Sequence, residues 1–304
     1  FIISLISFIA INLAPNSFFA SGELNPNITP EAIEELKKIY GLDKPLYIQF
    51  FSWIYSILQL DFGISFTSGE KVKEEILSRI PITLTINIVS MILIFIISLY
   101  FGIKSAMKKN SIFDRFTNQL SLLSFSMPSF YLALVLVLVF SIKFELFPIA
   151  GLHSVPNDGS LNYYLDFAWH LTLPIFIIVF GGIGSLILYI RALTIEILKS
   201  DYIFFARARG LDNKKILRYY ILPNLYPPVI TLLGLSLPGV IGGSVILETI
   251  FSIDGMGLLF YQSALSHDYP VIMGILIIGA FLTLIGNMFA DLILLKLNPN
   301  YNEK

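Results

Sequence analysis

An all-α polytopic membrane protein with six transmembrane helices is the fold class the sequence predicts, and three observations predict it. The 304 residues are 56% hydrophobic and 13% charged, with mean hydropathy +0.78, whereas an average soluble domain is roughly 25% charged. Five uncharged stretches reach the about 20 residues a helix needs to cross a hydrocarbon core. The Lys and Arg residues between those stretches fall mainly on alternate loops. Disordered chains and nucleic-acid binders are excluded, because both need far more polar or basic surface. Cys is absent, which removes disulfide scaffolds, Cys-ligated zinc and thiol chemistry together.

Residues 1–14 are apolar but short, and they are expected to be the end of a truncated first span. Residues 15–80 form an external helical loop. In it Thr29 is suited to cap a helix, with Pro30 in the first turn and Glu31, Glu34 and Glu35 at its positive end. Lys37 and Lys38 close that helix and Gly41 stops it. A second helix is expected from Pro45 through Trp53, and a third over 72–79, ahead of Pro81. The remaining spans are expected at 81–103, 116–142, 171–190, 219–247 and 270–290, so that 81–304 is the transmembrane core.

Charge sets the orientation. Segments 104–115, 191–218 and the tail together hold 13 basic and 6 acidic residues, against 7 and 15 in segments 15–80, 143–170 and 248–269. The basic side is cytoplasmic, and both termini are expected there.

No span centre carries an ionisable residue, where a proton- or ion-coupled carrier usually places one. The chain has no G-x-x-x-x-G-K-[ST] loop to cradle nucleotide phosphates, so any ATP that drives transport binds another subunit. Gly234-Leu235-Ser236-Leu237 fits the loose G-x-S-x pattern of intramembrane serine proteases, with His267 the nominal base. Ser236 lies near mid-span and His267 in an outer loop, and a Ser bonded back to its preceding turn beside Pro238 is the plainer reading. His153, His170 and His267 are too scattered in sequence to compose a metal site. No catalytic or metal-ligating residue is expected.

The most informative inner segment is 195–223. A short helix is expected up to Arg209, then a break at Gly210 and a second helix from about Asp212, with Pro223 a second break before span five. Phe205, Ala206 and Ala208 leave room for another surface to approach, and Arg207, Arg209, Lys214, Lys215 and Arg218 surround them. Contact of these cations with anionic lipid heads accounts for the charge but not for the Ala and Gly positions. Span five, with Pro227, Pro228, Gly234, Pro238, Gly239, Gly242 and Gly243, is the most interrupted helix. It is expected either to line a wet pathway or to permit close helix approach. Glu248 at its outer end is placed to meet a substrate amine or metal, to touch an external partner, or to remain a solvated charge. Asn87 is a candidate pathway residue or an interhelical hydrogen bond.

In this segment the chain resembles the permease subunits of bacterial ABC importers, in the dipeptide/oligopeptide/nickel group, whose signature is E-A-A-x3-G-x9-I-x-L-P. Ala206, Gly210, Leu222 and Pro223 match, and the Glu, the first Ala and the Ile do not. Ala206-Arg207-Ala208-Arg209-Gly210 fits the A-R-A-x-G common in that group. Further blocks in family order are Gly41-Leu-Asp-Lys-Pro45, Asp61-Phe-Gly-Ile-Ser65, Ser126-Met-Pro-Ser-Phe130, Leu146-Phe-Pro148, His170-Leu-Thr-Leu-Pro174, the run from Gly242 to Phe251, Asp268-Tyr-Pro-Val271 and Asn298-Pro299.

The resemblance implies a type I importer fold in the bacterial inner membrane. It implies a second homologous permease, two cytoplasmic ATPases that carry ATP and Mg, an external substrate-binding protein, and a lipid environment. Residues 205–210 with Leu222 and Pro223 become the ATPase-coupling segment. Di- or oligopeptides are the leading substrate class, with nickel or a metal chelate the alternative.

Overall fold

The computed structural model describes Leu5, Phe8, Ile9 and residues 44–241 and 244–297; the expected helix after Thr29, most of the first span, and Gly242 and Gly243 lie outside these. Among the described residues the only extended pairing is an isolated bridge between Ile64 and Lys71. Helices α1 (Leu46–Leu58), α2 (Val72–Met107), α3 (Ile112–Ser126) and α4 (Ser129–Leu136, continuing as π-helix over Val137–Lys143) come first. They are followed by α5 (Leu161–Leu198), α6 (Asp201–Ala208), α7 (Asn213–Ile216, continuing as π-helix over Leu217–Ile221) and α8 (Leu222–Ile241). The last described helices are α9 (Val245–Ile250), α10 (Met256–Leu265) and α11 (Tyr269–Leu297). Among the described residues α2, α5 and α11 are long and apolar enough to cross a membrane, and the bent pair α3–α4 supplies a fourth candidate.

Two expectations are corrected. The short helix before Pro81 and the span after it are one 36-residue helix with Pro81 inside it, about 54 Å long at 1.5 Å per residue. The stretch 116–142 is not one helix, because α3 and the α4 segment meet at 99°. Pro128 has no amide to donate, and its ring drives the preceding Met127 into extended backbone (φ −87°, ψ 122°).

The chain divides into two compact units. The first comprises residues 1–83 and 254–282. Val72 and Ile76 pack with Met256, Leu259 and Val271 to form its core. Gly274 is needed there, since a Cβ would lie 2.7 Å from Val72 Cγ1. Phe50 on α1 is buried, with the Phe8 ring 5.3 Å away, edge to face. The loop before α2 is held by one carboxylate: Ser65 Oγ donates to Asp268 at 2.6 Å, and the amides of Phe66 and Thr67 donate at 3.2 and 3.0 Å. Asp268 is 1% exposed.

The second unit comprises residues 84–253 and 283–304. Helices α3 and α5 meet closely at Gly184, where a Cβ would stand 2.5 Å from the Ser121 carbonyl oxygen, and Ser124 Oγ donates to the Phe180 carbonyl. Asp114, in the first turn of α3, is 2% exposed. It accepts from Arg191 Nε and Nη2 of α5 at 2.7 and 2.9 Å, from the Asn110 amide at 2.8 Å, from Asn118 at 3.1 Å, and from Ser105 Oγ of α2.

Candidate functional site

The segment 195–223 folds as a helical knuckle. Ile203 and Ala206, three residues apart and so on one face of α6, are buried. Ile203 joins Ile216, Ile221 and Leu225 in a cluster that also touches Ile103 of α2 and Leu193, Ile197 and Leu198 of α5. The opposite face is exposed, with Phe204 and Phe205 at 69% and 61% and Arg207, Ala208 and Arg209 open beside them.

The C-terminal end of α6 is fixed by backbone chemistry, and the start of α7 by a side-chain cap. The Leu211 amide donates to the Ala206 carbonyl at 3.2 Å and the Gly210 amide to the Arg207 carbonyl at 2.9 Å, the Schellman pair that ends a helix on a left-handed residue. Gly210 is that residue, at φ +80°. Asp212 then caps α7, its side chain accepting from the Lys215 amide at 2.9 Å.

Two expectations change here. Ala206 does not offer room to another surface, since it faces inward at 2% exposure; Phe204, Phe205 and Ala208 form the outward face. Pro223 is not a break, because helix runs without interruption from Asn213 to Ile241. The widened π-turn over Leu217–Ile221 immediately precedes it, where the proline ring would otherwise meet the carbonyl of the preceding turn. Leu222 is half-buried and Pro223 exposed. Sequence reasoning missed Phe204; the three-residue spacing of Ile203 and Ala206 was the signal that puts both neighbouring Phe side chains on the open face.

A cavity of about 590 Å³ lies in the same unit. Asn87 and Met91 of α2, Ser185 and Tyr189 of α5, and Leu232 and Ser236 of α8 contribute to its walls. Its lining is apolar except for an amide, two aliphatic hydroxyls and a phenol, with no charged side chain among the lining residues. Ser236 Oγ donates to the Leu233 carbonyl at 2.7 Å, the back-bonded state expected of a structural serine. Pro238 and Gly239 fall in the last turns of α8, and Gly242 and Gly243 are outside the described residues. Glu248, in the first turn of α9, is 3% exposed and therefore not a solvated charge. With Asn87 and Ser244 it borders a void of about 10 Å³, room for about one water. Asn87 thus touches both spaces.

Two of the three histidines, His153 and His170, lie beside one carboxylate. His153 Nδ1 and His170 Nδ1 lie 3.6 and 3.4 Å from the two oxygens of Asp166, and Ser154 Oγ is 3.2 Å from His170 Nε2. The closer partner of His170 Nδ1 is the Asp166 carbonyl, at 2.8 Å, and Asp166 also accepts from the Ser154 amide at 2.7 Å. These bonds tie the loop before α5 to its first turns. Among the described residues no group of three or more acidic or imidazole side chains converges to hold a metal.

Residues 98–303 match the family described as binding-protein-dependent transport system inner membrane component, and residues 1–87 match the N-terminal segment described for the same system. An oligopeptide transport system permease, AppB of Bacillus subtilis, is 35% identical over 98% of this chain and 93% of its own length. A dipeptide transport system permease, DppB of Lactococcus lactis, is 32% identical over 98% and 93%. A metal-staphylopine import system permease, CntB of Staphylococcus aureus, is 31% identical over 91% and 85%. Among solved structures, a chain of the MetNI methionine ABC transporter in inward-facing conformations superposes with a TM-score of 0.58 at 17% identity, over 73% of this chain and 96% of that one. That likeness concerns the fold.

Proposed function

The chain belongs to the family of binding-protein-dependent transport system inner membrane components, and from that premise we propose that it is the permease subunit of an ATP-driven importer of oligopeptides. It is a multi-pass inner-membrane transport subunit whose energy comes from elsewhere. The full assembly in this reading adds a second homologous permease, two cytoplasmic ATPases that bind ATP and Mg, and an external binding protein, with both termini of this chain in the cytoplasm.

The observation that carries the reading is the α6 knuckle. It is a two-turn helix seated on Ile203 and Ala206, stopped by Gly210, and presenting Phe204 and Phe205 outward among cations. An amphipathic helix of that kind suits insertion into a groove on a partner. In this role the apolar seat carries the motion of the partner inward, and the exposed rings supply contact area. The cavity bounded by Asn87, Ser185, Tyr189 and Ser236 supports an oligopeptide cargo. Neutral donors and acceptors can meet a peptide backbone, while uncharged apolar walls tolerate varied side chains. CntB supports a second reading, a metal chelate as cargo, which likewise needs no charged ligand from the permease.

The experiment is reconstitution of the co-purified complex in proteoliposomes, with uptake of radiolabelled pentaalanine and ATP hydrolysis measured together. Uptake that needs ATP and the binding protein supports the reading; uptake by the isolated chain overturns it. Uptake of nickel chelate in place of pentaalanine moves the assignment to the second reading. Gly210→Val places a β-branched residue at φ +80°, a backbone conformation that costs a side-chain-bearing residue about 1–2 kcal/mol. It is expected to lower pentaalanine uptake more than ATP hydrolysis, and equal effects on both count against the coupling role.

A further inference from the structure

The ends of α2 and α5 are gripped twice, by two unlike contacts. Ile103 of α2 and Leu193 of α5 touch the apolar cluster that seats α6. Ser105 of α2 and Arg191 of α5 bind the buried carboxylate of Asp114 on α3. On each helix the two contact residues are two positions apart, roughly 200° around the helix. The knuckle therefore presses on one side of the α2 and α5 ends while α3 holds the other side.

The grip on the α3 side has a defined geometry. The Arg191 fork is bidentate, and Ser105, Asn110 and Asn118 take up further acceptor capacity of the carboxylate. A bidentate charged pair fixes orientation as well as distance. The same two helices, α3 and α5, touch again at Gly184 and Ser121, about 10 Å further along α5. Two contacts at different heights hold a pair of helices as one body, where a single contact leaves a pivot.

We propose that Asp114 and Arg191 are positioning residues for energy coupling: their ion pair, with Ser105, joins the ends of α2, α3 and α5 so that a displacement of α6 moves three helices together. This rests on the reading of α6 as the ATPase-coupling element. Without the pair, a push by α6 on Ile103, Leu193 and Ile197 moves the ends of α2 and α5 past α3 rather than with it, and ATP hydrolysis proceeds with less motion delivered to the cavity walls on α2 and α5.

The test uses the reconstituted complex and the ratio of pentaalanine taken up to ATP hydrolysed, normalised to assembled complex. Asp114→Asn and Arg191→Gln are each expected to lower that ratio by about tenfold. The two together are expected to lower it no further than either alone, since partners in one contact are non-additive. Arg191→Lys keeps the charge without the fork, and it is expected to lower the ratio by a smaller factor. It also carries the test where the other variants fail to assemble. A ratio equal to the parent's, with losses only in the amount of assembled complex, overturns the proposal, as does an additive double variant. Gly210→Val separates the two readings. If it uncouples while the Asp114 and Arg191 variants do not, the positioning role alone falls; if none of them uncouples, the coupling role of α6 falls with it.

Discussion

Two buried aspartates, Asp114 and Asp268, do the same structural work by different means. Each is almost fully enclosed and each ties together segments far apart in sequence, 77 residues in one case and about 200 in the other. Asp268 is satisfied by neutral donors, a hydroxyl and two backbone amides. Asp114 is satisfied by a guanidinium as well as neutral donors. A carboxylate held by backbone amides pins a loop in one conformation, because those donors cannot turn away. A carboxylate held by a long cationic side chain joins whole helices. It also makes this end of the join depend on a single residue, since removing one charge of a buried pair strands the other.

The comparison ranks its own tests. Arg191→Ala has the largest expected effect: it leaves the Asp114 charge buried without a cation, at a cost of about 3–5 kcal/mol. Thermal unfolding in detergent, followed by size-exclusion profile, would show it as loss of monodisperse protein. An unchanged profile would mean that Ser105, Asn110 and Asn118 suffice alone, erasing the distinction between the two sites. Asp268→Ala comes next. It removes the acceptor of three donors, but only the Ser65 hydroxyl is fully buried, at a cost of roughly 1–3 kcal/mol, while the part-buried amides of Phe66 and Thr67 are open to water. Limited proteolysis between Asp61 and Lys71 is expected to accelerate while cleavage elsewhere is unchanged. Cleavage that rises everywhere would show that Asp268 holds more than its loop.

Ser65→Ala has the smallest expected effect, about 1 kcal/mol, because the amides of Phe66 and Thr67 still reach Asp268. The same proteolysis assay should register a modest change only. If Ser65→Ala matched Asp268→Ala, the hydroxyl rather than the backbone would be the anchor, and the loop would resemble the Asp114 site in depending on one side chain.

Much of the knuckle was legible beforehand. Gly210 as a stop and Asp212 at the start of the next helix follow from local rules about left-handed backbone and side-chain capping, and both hold in the structure. Pro223 misled for a local reason too, since a π-turn upstream absorbs a proline that a regular α-helix would not. Met127-Pro128 carried a readable break, but the apolar run around it concealed the 99° bend. The Asp114–Arg191 pair was not legible. Both residues were counted as loop charge, and no periodicity links positions 77 residues apart.

The sequence by itself determined the all-helical, membrane-spanning character, the charge alternation of the loops, and the stop and cap around Gly210, because hydropathy and backbone preference act within a few residues. The tertiary structure alone decided which charges are paired, that Glu248 is enclosed, that Ala206 faces inward, and that His153 and His170 share Asp166. Those outcomes depend on which helix faces lie against each other, and burial is settled only when the faces meet.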